Sequence, residues 1–268
     1  MPDTPADRFW STIDGVLVIN LDRRADRWDK VRELTAGLVP EDRLQRLPAV
    51  LGAELPGFGA QPWFRGRKRD ATWAGRAGCL LSHRLAITHA REHGWRNLLI
   101  LEDDIEPTPE AAVVLSSLPD ALGSVDWQVC YLGFTDPVPP FRTVAELASG
   151  HQLVKVSGAS TTHAYLVRSD AFDWLLQSLP DADTVWPWLS RHRAIDRWYY
   201  RNLSSRLRVL AVSPSVINQE HGFSDITQRM HEDIHATQVD ARRHGSAAFA
   251  FMMALRQLGW FLAGPRDW

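Results

Sequence analysis

Cysteine is nearly absent from this chain: Cys79 and Cys130 are the only two in 268 residues. That excludes a disulfide framework and the paired spacings of a cysteine zinc site, and reduced cytosolic thiols are the simplest account. Gly-x-Gly-x-x-Gly is missing as well, so a dinucleotide cofactor is not expected. There is little excess charge of either sign. A formal net charge of −2 gives no footing for bulk nucleic-acid binding. The opening MPDTPADRFWSTIDG lacks a basic start and an apolar centre, so it does not read as a signal peptide. No apolar run is long and clean enough to span a bilayer. Ala247–Ala263 comes nearest, but it is short and interrupted by Arg256 and Gln257. Internal repeats and a clean linker are also lacking. Residues 1–240 therefore read as one domain and 241–268 as a basic, apolar C-terminal helix. That helix has three readings: it docks on the domain, pairs with a second copy in a homodimer, or makes peripheral contact with a membrane surface.

What is present is the material of a globular α/β protein, with 45% hydrophobic and 23% charged residues. Twelve tryptophans are many for this length. The indole face suits C–H groups of a sugar ring and its N–H can donate, although most tryptophans serve packing. The centre of the chain's organisation is Asn97–Pro107, NLLILEDDIEP. Leu98, Leu99, Ile100 and Leu101 form an unbroken apolar run that reads as a central strand of a parallel sheet, buried on both faces. The strand delivers Glu102, Asp103 and Asp104 to the sheet's carboxyl edge, where ligands of open α/β sheets sit. Strand alternation puts Glu102 and Asp104 on one side and Asp103 on the other. Three adjacent carboxylates invite a cation, and hard oxygen ligands favour Mg²⁺ or Mn²⁺ bridging to a diphosphate. The alternative is a solvated acidic turn that caps the helix near Thr108.

Gly15–Leu21 is a strand running into Asp22-Arg23-Arg24-Ala25-Asp26-Arg27 and a helix from about Trp28 to Ala36. This is the opening half of a nucleotide-binding βα unit. Asn20 and the arginines could bind base, ribose or phosphate, or could be a charge-laced helix start. Leu44–Val50 reads as a second strand. Leu51–Asp70 reads as a long surface loop with Arg65, Arg67, Lys68 and Arg69 clustered, either closing over a diphosphate or simply solvated. Thr72–Glu92 is a helix whose small residues, Gly75, Gly78, Cys79, Ser82 and Ala86, share a narrow face that permits close approach. Ser82 and His83 lie on or beside it. Thr108–Ser117 reads as a helix, Trp127–Leu132 as a strand, and 133–140 as a turn-rich connection. Gln152–Val156 and Thr162–Val167 read as strands of a hairpin. His163 and Tyr165 fall near the donor or acceptor, or are buried structural groups. Ser169 or Asp170 caps a helix to Ser178. Ile195–Leu203 is helical and Arg208–Val212 a strand. The polar loop Asn218–Ile226 could return to the carboxyl edge.

Six segments together resemble glycosyltransferase family 25, the group of bacterial lipo-oligosaccharide galactosyltransferases and collagen β-galactosyltransferases. They are VINLDRRADRW (Val18–Trp28), GRAGCLLSHRLA (Gly75–Ala86), LLILEDDIEP (Leu98–Pro107), THAYLV (Thr162–Val167), AIDRW (Ala194–Trp198) and the SDI of Ser224–Ile226. They occur in the family's order and span nearly the whole chain. The resemblance implies a GT-A type fold, a Rossmann-like and mostly parallel central sheet flanked by helices, with residues 1–240 as its catalytic domain. It implies a UDP-sugar donor, galactose before glucose, a Mn²⁺ or Mg²⁺ ion, and inversion at the anomeric carbon. By the same resemblance Asn20, Leu21, Arg24 and Arg27 hold the nucleotide. Ser82, His83, Glu102, Asp103, His163 and Asp225 are further candidates toward the nucleotide-sugar. Glu102 and Asp104 fill the family's Asp-x-Asp role, with Asp104 the firmest metal ligand and His221 or Asp225 a further one. The acceptor is a hydroxyl of a glycan, lipo-oligosaccharide core among the options, lipid-linked or not. That fits a cytoplasmic protein, at most at the inner face of the membrane.

Inversion calls for a base on the face away from the leaving group, and so for a carboxylate off the metal. Asp196 is the first choice, in a segment where Trp198 and Tyr199 could flank an acceptor sugar. It could equally be a helix cap. Glu220 and Asp225 come next. Two rivals stand beside this reading: a metal-dependent nucleotidyl or phosphoryl transferase, and a non-catalytic sugar-nucleotide or glycan-binding protein.

Overall fold

The computed structural model describes residues 5–220, 222–224, 226, 229–231, 237–239 and 246–263. In chain order, α1 (Pro5–Ser11) precedes β1 (Gly15–Asn20), α2 (Ala25–Thr35) and β2 (Leu44–Pro48). A loop containing two 3₁₀ turns leads to α3 (Trp73–Glu92). Then follow β3 (Asn97–Glu102), β4 (Ile105–Pro107), α4 (Ala111–Gly123), β5 (Val129–Val138), β6 (Arg142–Glu146), β7 (Gln152–Lys155) and β8 (Gly158–Arg168). The chain continues through α5 (Ser169–Ser178), α6 (Val185–His192), α7 (Ile195–Asn202), β9 (Val209–Ser213) and β10 (Ile217–Gln219). Two short strands, β11 (Gly222–Ser224) and β12 (Arg229–His231), pair with each other, and α8 (Ser246–Ala263) follows.

The main sheet has eight strands in the order β2-β1-β3-β8-β5-β9-β7-β6. Six of the eight run one way, and only β8 and β7 oppose them. This is the Rossmann-like, mostly parallel and helix-flanked α/β architecture that the sequence implied. Alternation along the strands explains why the runs are continuous. Leu17 and Ile19 of β1, with Leu98 and Ile100 of β3, pack beneath α3, α5, α6 and α7. Val16 and Val18, with Leu99 and Leu101, pack beneath α1, α2 and α4. A strand covered on both faces must be apolar at every position.

Several expectations are corrected. β3 has a parallel neighbour, β1, on one side but an antiparallel one, β8, on the other. β7 and β8 do not form a hairpin: β7 pairs with β6 and β9, while β8 inserts between β3 and β5. Local turn residues cannot reveal which of two distant strands a segment will join. The stretch 133–138 is the continuation of β5, bent by register shifts, instead of a turn-rich connection. The 51–70 loop is anchored by a ring cluster. Phe64 packs edge-on to Trp73 and Trp186, and the Trp186 Nε1–H donates to the Pro56 carbonyl at 2.6 Å. Arg168 occupies the N-cap of α5, and Asp170 in its first turn accepts from Gln128 at 3.0 Å, so neither Ser169 nor Asp170 caps that helix.

Helix α8 lies against the domain through one face. Ser157 Oγ donates to Met253 Sδ at 3.0 Å, Gln257 to the Ser204 carbonyl at 2.7 Å, and Arg256 to the Pro139 carbonyl at 2.6 Å. Its other face carries Phe251, Leu255, Leu258 and Leu262, all exposed. No helix among the described residues is long and apolar enough to cross a membrane.

Candidate active site

β1 sits between β2 and β3, and the helices that connect them, α2 and α3, cover opposite faces of the sheet. The carboxyl ends of these three parallel strands therefore flank a topological switch point, where an open α/β sheet leaves a crevice. A cavity of about 320 Å³ lies there, at the small end of the range for small-molecule sites. Its polar wall is Arg23, Arg27, His83, Glu102, Asp103 and Asp104. Its apolar wall is built from small residues of 49–53 and of 71–78. That wall exists because two glycines let the backbone after β2 touch α3. A Cβ on Gly52 would fall 1.8 Å from the Ala74 carbonyl oxygen, and one on Gly78 would fall 2.4 Å from that of Val50.

All three acids of the triplet line this cavity. The expected alternation fails because β3 ends at Glu102 and the chain turns tightly through Asp103 and Asp104 before β4. The three have different partners. Glu102 accepts from Thr162 Oγ1 at 2.8 Å and lies 3.2 Å from His83 Nε2. Burial works against its charge, but these contacts outweigh it and hold the carboxyl below its usual range. Asp103 pairs with Arg27 at 2.8 Å and accepts from the Asn20 amide at 2.7 Å. Burial nonetheless pushes it up. Among the described residues, Asp104 has the weaker side-chain contacts from Gln219 Nε2, at 3.2 and 3.4 Å. Burial, then the charges of Glu102 and Asp103, push it up to about 7. A half-buried carboxyl lining the cavity, crowded by two others, fits a divalent cation: the ion would relieve the repulsion and take the remaining lone pairs.

The other sequence-derived positions divide. Leu21, Arg27, Ser82 and His83 line the cavity with the triplet. Arg23 lines it too, whereas Arg24 turns to Asp26 at 2.9 Å and is outside the lining. Local pattern offers no means to choose between adjacent arginines, because the choice is made by the turn after β1. Asn20 is buried, and its polar atoms are engaged within the protein. The amide nitrogen donates to Asp103 and to the Arg24 carbonyl, and its oxygen accepts from Arg46 at 2.7 Å. Ser82 Oγ bridges helix and loop, donating to the Gly78 carbonyl and accepting from Val50 N–H. His163 is buried beside β10, with Nε2 3.0 Å from the Ile217 carbonyl, and burial lowers its basicity. Glu220 pairs with Lys30, and its backbone N–H donates to the Asp104 carbonyl at 2.7 Å. The 218–226 loop thus returns to the carboxyl edge, where Ile226 also lines the cavity. His221 and Asp225 lie outside the described residues.

Asp196 is in the first turn of α7 and accepts from the Arg197 backbone N–H at 2.7 Å. Helix α7 rides close on the start of β8 at Gly158, where a Cβ would meet the Tyr200 carbonyl at 2.9 Å. Burial pushes the Asp196 carboxyl up, and Glu102 is near enough to add to the shift. Trp198 and Tyr199 do not flank an acceptor. They are buried with Trp174, Trp188 and Tyr165 under the sheet, because the apolar face of α7 turns inward. Among the described residues, no tryptophan lines the cavity. Two residues that the sequence reading left out of the site belong to it: Cys79, from the small face of α3, and Thr162, through Glu102.

No family model matches the chain, and no curated protein matches it. The likeness to family 25 therefore rests on the six motifs. Among solved structures the chain is similar to A197 from STIV, with 9% identity, TM-score 0.39, and 86% of this chain and 100% of that chain covered. It is similar to mannose-1-phosphate geranyltransferase from Thermus thermophilus, with 12% identity, TM-score 0.37 and coverage of 75% and 73%. A glycosyltransferase involved in the glycosylation of the major capsid of PBCV-1 gives 12% identity, TM-score 0.38 and coverage of 74% and 79%. Likeness at this level bears on neither substrate nor reaction.

Proposed function

We propose that this chain is an inverting, metal-dependent glycosyltransferase that moves a hexose, galactose first and glucose next, from a UDP-sugar to a hydroxyl of a glycan. One observation carries the reading. A cavity at the carboxyl ends of three parallel strands is lined by three acids, two arginines and a set of mostly small apolar residues. A nucleotide diphosphate has the matching parts: a flat base for the apolar lining and charged phosphates for the arginines and a cation on the acids.

Asp104, with Glu102 beside it, would hold Mn²⁺ or Mg²⁺, which when bound offsets charge on the departing diphosphate. Arg23 and Arg27 add positive potential at the same end. Asn20 and Arg27 hold Asp103, and thereby the turn that carries Asp104. On the opposite face of the sugar a carboxylate must take the acceptor's proton as its oxygen attacks. Asp196 is preferred to Glu220. Its carboxyl is made more basic by burial, and among the described residues its side chain forms no ion pair like that of Glu220 with Lys30. The proton passes from the acceptor hydroxyl to Asp196 as the anomeric bond to UDP breaks.

Presented with UDP-galactose, Mn²⁺ and lipo-oligosaccharide core, the protein should release UDP, and Asp104→Asn should not. A UDP-sugar melting shift without turnover on any acceptor would instead mark a binding protein. Turnover on a nucleoside triphosphate without sugar transfer would mark a nucleotidyl transferase.

The acceptor reading extends to α8. Phe251, Leu255, Leu258 and Leu262 recur at intervals of four, three and four residues and form one exposed apolar stripe. The helix contains no Asp or Glu, and Arg242, Arg243 and Arg266 flank it in sequence. An apolar stripe with basic flanks matches an anionic lipid surface.

A further inference from the structure

The cavity floor holds a second group of ligand-type side chains that the transfer reaction leaves unused as a set. Cys79 and His83 stand one turn apart on α3, and Glu102 ends the neighbouring β3. One ligand atom from each, Cys79 sulfur, a His83 ring nitrogen and a Glu102 oxygen, all lie within 4.8 Å of one another. We propose that Cys79, His83 and Glu102 form a site for a borderline-soft divalent cation of the Zn²⁺ class, which shares Glu102 with the oxygen site at Asp104.

The donor set is the first argument. Thiolate, imidazole and carboxylate on three corners, with the fourth open to the cavity, is the composition of a zinc site with an exchangeable position. Magnesium and manganese prefer all-oxygen surroundings, so the two sites sort metals by chemistry.

The surroundings of the ligands are the second argument. His83 Nδ1 lies 3.0 Å from the Tyr165 hydroxyl, which lies 3.4 Å from that of Tyr199. In the tautomer with Nδ1–H donating to Tyr165, Nε2 would offer its lone pair to an ion held between Glu102 and Cys79. This is the outer hydrogen bond that fixes the tautomer of a ligating histidine. Thr162 Oγ1 does the same for Glu102 at 2.8 Å.

The charge count is the third. Binding sends the thiol proton to solvent and moves the His83 ring proton from Nε2, where it bonds Glu102, to Nδ1, where it bonds the Tyr165 oxygen. Thiolate and carboxylate then sum to −2 against the ion's +2, so the occupied site is neutral and tolerates burial. Occupation takes Glu102 from its place beside Asp104, so Zn²⁺ should inhibit transfer. That consequence rests on the transferase reading, whereas the binding does not.

Cobalt titration of the full chain tests it. One equivalent of Co²⁺ should give a thiolate-to-metal charge-transfer band, removed by Zn²⁺. Cys79→Ser should abolish the band and weaken Zn²⁺ binding more than about 100-fold. Cys130→Ala should keep it. Asp104→Asn should keep it although it ends turnover, which separates failure of this site from failure of the transferase. Absence of the band, or a band that survives Cys79→Ser, overturns the proposal. Should Cys79→Ser not fold, X-ray absorption of the wild-type protein with one equivalent of Zn²⁺ decides. A sulfur at about 2.3 Å supports the site, and nitrogen and oxygen alone overturn it.

Discussion

Arg27 and Asp103 form an ion pair at 2.8 Å with only 16% and 11% of their side chains exposed. The middle acid of the triplet is thereby neutralised from within the protein, while Asp104 is left facing the cavity. A run of three carboxylates has become three differently held groups: Asp103 on Arg27, Glu102 on Thr162 and His83, and Asp104 on the weaker contacts from Gln219.

Removing the cation should strand the anion. Arg27→Ala should destabilise the protein by on the order of 3 kcal/mol in chemical denaturation, because Asp103 stays buried without its partner. Adding Asp103→Asn should recover part of the loss, since no buried charge then remains. A double variant no more stable than Arg27→Ala would mean that the pair does not hold the turn.

Asp196→Asn should leave UDP-sugar affinity unchanged and cut turnover by about 10² or more. Calorimetry of donor binding beside steady-state rates checks both halves. Unaltered turnover removes Asp196 from the role and points to Glu220.

Asp104 makes the metal-free protein sensitive to alkali. Its carboxyl is raised from 3.8 to about 7, so the folded chain retains a proton that the unfolded chain has released. Stability from this group is complete below the unfolded value and is lost as pH rises through about 7. The melting temperature without metal should therefore fall between about pH 4 and pH 7, and Asp104→Asn should flatten that fall. Mn²⁺, competing with the proton, should raise the melting temperature more at the upper end of the window. A profile identical in wild type and Asp104→Asn would contradict this.

Gly78→Ala pits helix propensity against contact. Alanine in a helix gains up to about 1 kcal/mol over glycine. Here its Cβ would lie 2.4 Å from the Val50 carbonyl oxygen, a backbone atom that cannot rotate away. The clash should win, with a net loss of roughly 1–3 kcal/mol and weaker donor binding as 49–53 shifts from α3. A more stable Gly78→Ala variant would show that the loop yields freely.

Replacing Leu255 and Leu258 by Glu should abolish flotation with anionic liposomes at low salt while leaving turnover on a soluble acceptor intact. Wild-type protein that ignores such liposomes ends the lipid reading of α8.

Sequence by itself determined the parts that depend on local pattern. Continuous apolar runs specified β1 and β3, the stripe of leucines and small residues specified α3, and the acids at the end of β3 marked the cavity edge. Each of these signals lies within a few residues, where strand and helix periods act directly. Only the tertiary structure decided which polar groups were already spent. Asn20 is consumed by Asp103, Arg24 and Arg46, and Arg24 itself turns to Asp26, leaving Arg23 and Arg27 on the cavity. Trp198 and Tyr199 went to the core, and β8 joined β3 and β5 in place of β7. These outcomes depend on partners distant along the chain, and local periodicity carries no information about which distant group will arrive. The same is true of Cys79 and His83: their spacing along a helix was visible, but Glu102 became their neighbour only when β3 paired beneath α3.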